Sequence, residues 1–385
     1  MADQTYVLVD PHLIHFKKIL KKVIKQDKNY LRYEAFFNFL MKRNQLAILR
    51  TGEGTLFMGS ILRRIFLTKI FNQLEFWIWL RINKIDTSKV KIYNSILEIN
   101  KEKEVIFDFA YTWKYKNNSY ISELVNYEGL ILVHMTHYFQ NTKSIFDVLS
   151  KLKKFALISE GKVSASSFFR EKFEKSVIEF NVPFTIDHLL DRDNSILTDT
   201  QNIREDKCLI IGSITKYYDI DLIEHFDSIY LNQDRSIFRY RAFDLPLFVF
   251  DPPKPTIDKK KFSTSRGKKY RKEIKEIYSE VCAFFTGVED IGLPSINTFE
   301  GMFYGAAYIG PDDEVHQSLG LKDGQNFFSY ESGNFLDFMR VVRYTIANPK
   351  ILQSVANRGQ IYVKENFISQ KIYNDLLDNV DKKFF

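Results

Sequence analysis

Short uninterrupted apolar runs alternate along this chain with longer stretches whose apolar positions recur at helical spacing. The runs Thr5–Val9, Leu46–Leu49, Val105–Phe109, Leu130–Val133, Phe155–Ile158 and Val182–Ile186 read as strands. After a polar, turn-rich stretch at 191–206, the runs Cys208–Ile211, Ser228–Leu231, Leu247–Phe250 and Val281–Phe285 read the same way. Between them, Phe16–Ile24 carries Lys17, Lys18, Lys21, Lys22 and Lys25 on one charged face. A stretch over 267–278 sets Tyr270, Ile274, Ile277 and Tyr278 on one side. Near the end, Asn334 is placed to cap a helix with Phe335, Phe338, Met339, Val342 and Ile346 inward. Asn348-Pro349 ends that helix, a second starts at Pro349, and a third lies near Leu377.

Strands that are apolar throughout, separated by helices, predict parallel sheets covered on both faces. The expected fold class is therefore α/β, with two Rossmann-like domains facing across a cleft. The expected domains are residues 1–195 and 204–370, with 371–385 a C-terminal helix packing back on the N-terminal domain.

The chain of 385 residues has room for two such domains, and 45% hydrophobic with 27% charged residues describes a soluble globular protein. Cys208 and Cys282 are too few for a disulfide framework or a cysteine metal cluster, which fits a reducing compartment. No secretory leader and no window long and apolar enough to span a membrane is visible, so a cytoplasmic location is expected. The net charge of +7 is unevenly placed: residues 1–100 hold 17 Lys and Arg against 8 Asp and Glu. The basic N-terminal part suits an anionic partner, either the inner membrane face, an anionic glycan or a nucleic acid, or is simply a solvated lysine face.

In parallel sheets ligands bind beyond the carboxyl ends of the strands. The turns that follow predicted strands are Asp10–His12, Thr51–Thr55 with Gly52-Glu53-Gly54, His134–His137, Gly212–Lys216 and Glu289–Glu300. The last belongs to GVEDIGLPSINTFEGMFYGAAYIG, residues 287–310. It sets two acids around a Gly-Leu-Pro turn at the start of a helix, where unpaired N–H groups attract anions. A structural reading stands beside this one. Asn297 and Glu300 have the spacing of a capping box, and Gly305 would let the helix approach a strand closely.

Taken in order, these features resemble the donor domain of GT-B glycosyltransferases of the family-4 and spore-maturation types. The resemblance covers about residues 205–370. It rests on LIIGSITKYYDIDLIEHF (209–226), EDIGLP (289–294), EGMFYGAAYIG (300–310), Asp323-Gly324 and ANPKILQSVANRGQIYVKENF (347–367). Ten residues separate Glu289 from Glu300, a longer interval than the family's. The resemblance implies that Glu300 accepts hydrogen bonds from the donor ribose and that Glu289 or Asp290 contacts sugar hydroxyls. It further implies that backbone N–H groups near Gly292 and Leu293 meet sugar or phosphate, and that Gly212, Ser213 and Lys216 face the diphosphate.

Such enzymes neutralise the leaving phosphate with basic side chains and helix N-termini, so no metal and no cofactor beyond the nucleotide-sugar substrate is expected. Lys254–Lys272 carries nine Lys and Arg against Asp258 alone, and Arg266 or Lys268 is the candidate phosphate contact. An inverting reaction would take its base from the N-terminal half, with Asp10, Glu53, His134 and His137 as candidates. The expected acceptor is a glycan or other surface polysaccharide. The alternatives are a glycosyltransferase that modifies nucleic acid and a non-catalytic nucleic-acid-binding protein.

Overall fold

The computed structural model of the protein describes residues 4–11, 34–51, 76–81, 85–116, 118–135, 142–190, 205–211, 237–240, 278, 281–286 and 293–385. These form two compact units. The first comprises Met1–Ser159, Arg170–Val182 and Ser369–Phe385; the second comprises Glu160–Phe169 and Pro183–Ile368.

The first unit is built on a seven-stranded, wholly parallel sheet. Its strands are β1 (Thr5–Val9), β2 (Leu46–Leu49), β3 (Lys91–Tyr93), β4 (Glu104–Phe109), β5 (Ile131–His134), β6 (Phe155–Ser159) and β7 (Ile178–Asn181). Their spatial order is β3-β2-β1-β4-β5-β6-β7. This is the doubly wound order, in which the chain reverses direction across the sheet between β1 and β4. The five interior strands β2, β1, β4, β5 and β6 are buried nearly end to end, which explains why they read as plain apolar runs. The helices α1 (Glu34–Lys42), α2 (Asn118–Asn126) and α3 (Thr142–Leu149) belong to this unit. So does α10 (Ser369–Phe384), which packs on α1 through Tyr373, whose ring centre lies 4.8 Å from Phe36 and 5.5 Å from Phe39.

The second unit has a five-stranded parallel sheet. It contains β8 (Glu205–Ile211), β9 (Ile237–Tyr240), β10 (Val281–Thr286), β11 (Ala307–Asp312) and β12 (Phe328–Glu331), ordered β12-β11-β10-β8-β9. Read from the other edge, the order is second, first, third, fourth, fifth, so the switch point lies between β8 and β10. The helices α6 (Ile296–Phe303), α7 (Glu314–Ser318), α8 (Phe335–Ala347) and α9 (Pro349–Asn366) follow β10, β11 and β12; the short helix α5 (Asp187–Leu190) precedes the sheet, and α4 (Ser167–Lys172) is divided between the two units after Phe169. Phe338 of α8 meets Phe285 of β10 at 4.8 Å between ring centres and Tyr330 of β12 at 5.4 Å, closing one face of the core.

Among the strands that the apolar runs do not mark, β3, β7 and β9 are sheet edges. An edge strand buries only part of its surface and needs no continuous apolar run. The expected strand at Val182–Ile186 is irregular instead. The ladder ends with Val182 N–H on the Ser159 carbonyl at 2.7 Å, and Pro183 has no N–H with which to continue it. Ser228–Leu231 and Leu247–Phe250 lie outside the described residues. Asn334 caps α8 as expected, its side-chain oxygen accepting from Asp337 N–H at 3.0 Å, and Pro349 opens α9.

Candidate functional site

At the switch point of the second sheet, β8 and β10 end together: Ile211 and Thr286 are register partners. Gly212 and Ser213 follow directly from Ile211, and Glu289, Asp290 and Gly292 from Thr286. Those five residues, together with Lys216, Arg266 and Lys268, lie outside the described residues. The described chain resumes at Leu293, which is 1% exposed.

The helix α6 begins earlier than the capping-box spacing suggests. Ser295 is its N-cap, with extended backbone, so Asn297 stands inside the first turn and Glu300 is its fifth residue rather than its third. The capping-box reading is therefore incorrect, and Glu300 is not committed to capping. From Thr298 to Phe303 the helix is buried throughout, Glu300 included at 5% exposure. Its charge reaches the fully buried Tyr278, whose phenol is pushed well up, first by burial and then by Glu300. Tyr278 OH donates to the Asn297 carbonyl at 3.0 Å and so ties Tyr278, three residues before β10, to the helix after that strand. Two side-chain oxygens of the first turn, Asn297 Oδ1 and Thr298 Oγ1, are buried with no hydrogen-bond partner among the described residues. Buried polar atoms of this kind call for a partner.

The glycine that brings α6 to the sheet is Gly301, not Gly305. A Cβ at Gly301 would meet the Phe284 ring, whereas Gly305 adopts φ +78° just after the helix. Behind α6, Gly359 lets α9 approach the Asn326 carbonyl, and Gln360 donates to the Phe303 carbonyl at 2.7 Å. The Asp323-Gly324 landmark is a turn with φ +65° at Gly324, held by Arg358 donating to the Gln325 carbonyl at 2.6 Å and the Gly324 carbonyl at 2.8 Å.

In the first unit, Asp10 stands at the carboxyl end of β1 with φ +41°, a left-handed conformation that is uncommon outside glycine. It is 3% exposed. Its Oδ1 accepts from Thr51 N–H at 3.0 Å and its Oδ2 from Thr51 Oγ1 at 2.5 Å. Lys116 Nζ also donates to Oδ2, and to Thr51 Oγ1 at 3.2 Å. The Lys116 side chain is 2% exposed, and its ammonium lies 5.2 Å from the centre of the Tyr120 ring. Tyr120 OH donates to Asp108 Oδ2 at 2.6 Å, joined there by Trp113 Nε1 at 2.6 Å, while Phe109 N–H donates to Oδ1 at 2.8 Å. Complete burial pushes the Asp108 carboxyl up, against the opposing pull of Lys116 and these three donors.

Thus Asp10, the one candidate base in this group, is enclosed and engaged by three donor groups. His134, the last residue of β5, is also buried, and its ring lies 5.3 Å from that of Phe109 and 5.9 Å from that of Phe107. Glu53 and His137 lie outside the described residues. Sequence reasoning placed Thr51 in a candidate turn but missed Asp108 and Lys116. Asp108 left a signal, a lone acid inside the apolar run Val105–Phe109; Lys116 left none. Among the described residues no group of three or more His, Cys, Asp or Glu side chains is arranged to hold a metal, and no helix is long and apolar enough to cross a membrane.

No family model and no curated protein matches the chain. Solved structures do. HepE from Anabaena in complex with UDP matches with a TM-score of 0.55 and 9% identity, over 98% of this chain and 100% of that one. The HepE complex with UDP-glucose matches at 0.52 and 8%, over 98% and 99%. Sucrose-phosphate synthase from Thermosynechococcus elongatus matches at 0.49 and 9%, over 99% of both chains. At such identities the likeness is one of fold. The HepE matches and the two parallel sheets give the chain the α/β fold of the GT-B glycosyltransferases, with two Rossmann-like units.

Proposed function

We propose that the protein is a glycosyltransferase that takes a sugar from a uridine-diphosphate sugar and delivers it to a glycan acceptor. The observation that carries this reading is the pairing of Ile211 with Thr286 at the switch point of the second sheet. The two segments with donor-site sequence follow directly from these paired strand ends, and parallel sheets take their ligands beyond such ends. The buried Glu300 stands just over one turn into the helix that follows. The fold shared with HepE, solved with UDP and with UDP-glucose, supports the same donor class.

In this reading Glu300 accepts hydrogen bonds from the ribose hydroxyls, and the side chains of Asn297 and Thr298 gain partners when the donor binds. Glu289 or Asp290 contacts the sugar, with backbone N–H groups near Gly292 and Leu293 beside it. Gly212, Ser213 and Lys216 face the diphosphate, and Arg266 or Lys268 neutralises the leaving phosphate in place of a metal. Glu53, His134 and His137 remain the candidates for a base acting on the acceptor. The basic N-terminal residues, with Trp77 and Ile78 exposed at 47% and 40%, support docking on an anionic membrane face.

The deciding experiment incubates the protein with UDP-, GDP-, ADP- and CMP-sugars and measures released nucleotide, with and without EDTA. Release from a UDP-sugar that EDTA leaves unchanged is expected. No release and no thermal stabilisation by any of the nucleotides would overturn the reading.

A further inference from the structure

Asp10 and Thr51 follow β1 and β2, and Lys116 ends the 3-10 helix Ala110–Tyr115 that follows β4. β1 and β4 flank the point at which the first sheet reverses its winding, where the carboxyl ends of the strands leave a crevice. We propose that Lys116 is a positioning residue whose ammonium closes a clasp with Asp10 and Thr51, setting where the loops after β1 and β2 begin at this switch point. Its catalytic consequence rests on the glycosyltransferase reading; the clasp itself does not.

The geometry is that of a fastening. Thr51 Oγ1 both donates to Asp10 and accepts from Lys116, so each corner touches the other two. The two charged side chains are 2% and 3% exposed, so removing the Lys116 ammonium takes an opposite charge away from a buried carboxylate. The far side of Lys116 is fixed too, since its ammonium faces the Tyr120 ring and Tyr120 is held by Asp108. The clasp also accounts for the left-handed backbone at Asp10. That conformation is held by the Asp10 N–H on the Leu49 carbonyl at 2.9 Å, together with the side-chain bonds.

The same unit supplies a control. Glu104 is also buried and polar, but it sits at the amino end of β4, where it accepts from Asn100 N–H at 2.7 Å and from Tyr93 OH. It stabilises the sheet at the amino end of its strands, opposite the carboxyl ends where Asp10 and Thr51 lie.

The test compares Lys116→Met, Lys116→Arg and Glu104→Gln. Hydrogen–deuterium exchange is read on peptides covering 5–11 and 46–51, and UDP release from UDP-glucose supplies kcat and KM. K116M is expected to speed exchange at Thr51 and Asp10, to lower kcat on the order of tenfold or more, and to leave the donor KM within about twofold. K116R should recover most of both, and E104Q should lower the melting temperature while leaving kcat alone. Unchanged exchange in K116M overturns the clasp. Faster exchange with unchanged kcat, or equal loss of kcat in E104Q, overturns the positioning role. If K116M does not fold, Thr51→Val opens another corner and is read by the same exchange. Should the wild-type protein release no nucleotide from any donor, the glycosyltransferase reading fails by itself, and exchange still decides the clasp.

Discussion

Gly301 of α6 lies against the ring of Phe284 on β10, so closely that a Cβ there would come 2.4 to 2.7 Å from three ring carbons. Phe284 is fully buried and its ring lies 5.1 Å from that of Tyr278, so it has little freedom to withdraw. Gly301→Ala would gain about 1 kcal/mol of helix propensity. Overpacking should cost about 1–3 kcal/mol, and more where backbone must shift. The net expectation is a less stable protein, read as a lower urea midpoint, with Phe284→Leu in the same chain restoring most of the loss. A more stable G301A protein would show that α6 does not depend on this contact.

Glu300 offers a buried acceptor inside α6, and its replacement separates donor binding from folding. Glu300→Gln keeps the shape but loses the charge, and charge-assisted hydrogen bonds are worth roughly 1.5–3 kcal/mol. The UDP-sugar affinity of E300Q should therefore fall about tenfold or more, measured by calorimetry, while its unfolding midpoint stays near that of the parent protein. Equal affinity in the two proteins would remove Glu300 from the donor site.

Asp108 carries a pH dependence of known sign. Burial raises its carboxyl in the folded state above the unfolded value of about 3.9. The folded protein thus holds this proton more tightly than the unfolded chain does. That contribution to stability is complete below the unfolded value and is lost as pH rises through the raised one. Urea midpoints of the wild-type protein should decline across that window more steeply than those of Asp108→Asn, whose side chain cannot ionise. Parallel curves would contradict the assignment.

Trp77 and Ile78 are exposed on a helical segment whose Phe76, Trp79 and Leu80 are buried, and they lie within the basic first hundred residues. Binding to phosphatidylglycerol vesicles, with little to phosphatidylcholine and weakening as salt rises, is the expected result in flotation. Trp77→Ala with Ile78→Ser should reduce it several-fold, because an interfacial Trp contributes both area and a polar edge. Equal binding to neutral vesicles would exclude the electrostatic part.

Much of the fold was legible because burial and hydrophobic pattern coincide where a strand has neighbours on both sides. Thr5–Val9 and Leu46–Leu49 were placed to the residue, and the Asn334 cap and the Asn348-Pro349 break follow from local chemistry alone. The edge strands β3, β7 and β9 were not, since half-exposed residues such as those of Ile178–Asn181 carry no apolar run. The site was legible in part. Glu300 and the segments after β8 and β10 stood out by spacing and resemblance, but the true helix start at Ser295 did not, because Asn297 offered an equally good local cap.

What this sequence determined by itself is local: alternating apolar runs and helical periodicity, caps, breaks, and the turns that follow strands. Those features act over a few residues, where propensity and hydrogen bonding are settled by neighbours in the chain. Only the tertiary structure decided which turns meet. Ile211 comes beside Thr286 through the order of strands in a sheet, and Asp10 reaches Lys116 across 106 residues by burial of two charges that compensate each other. It also decided that Gly301 rather than Gly305 faces the strand, since a missing Cβ has meaning only where another side chain occupies its place.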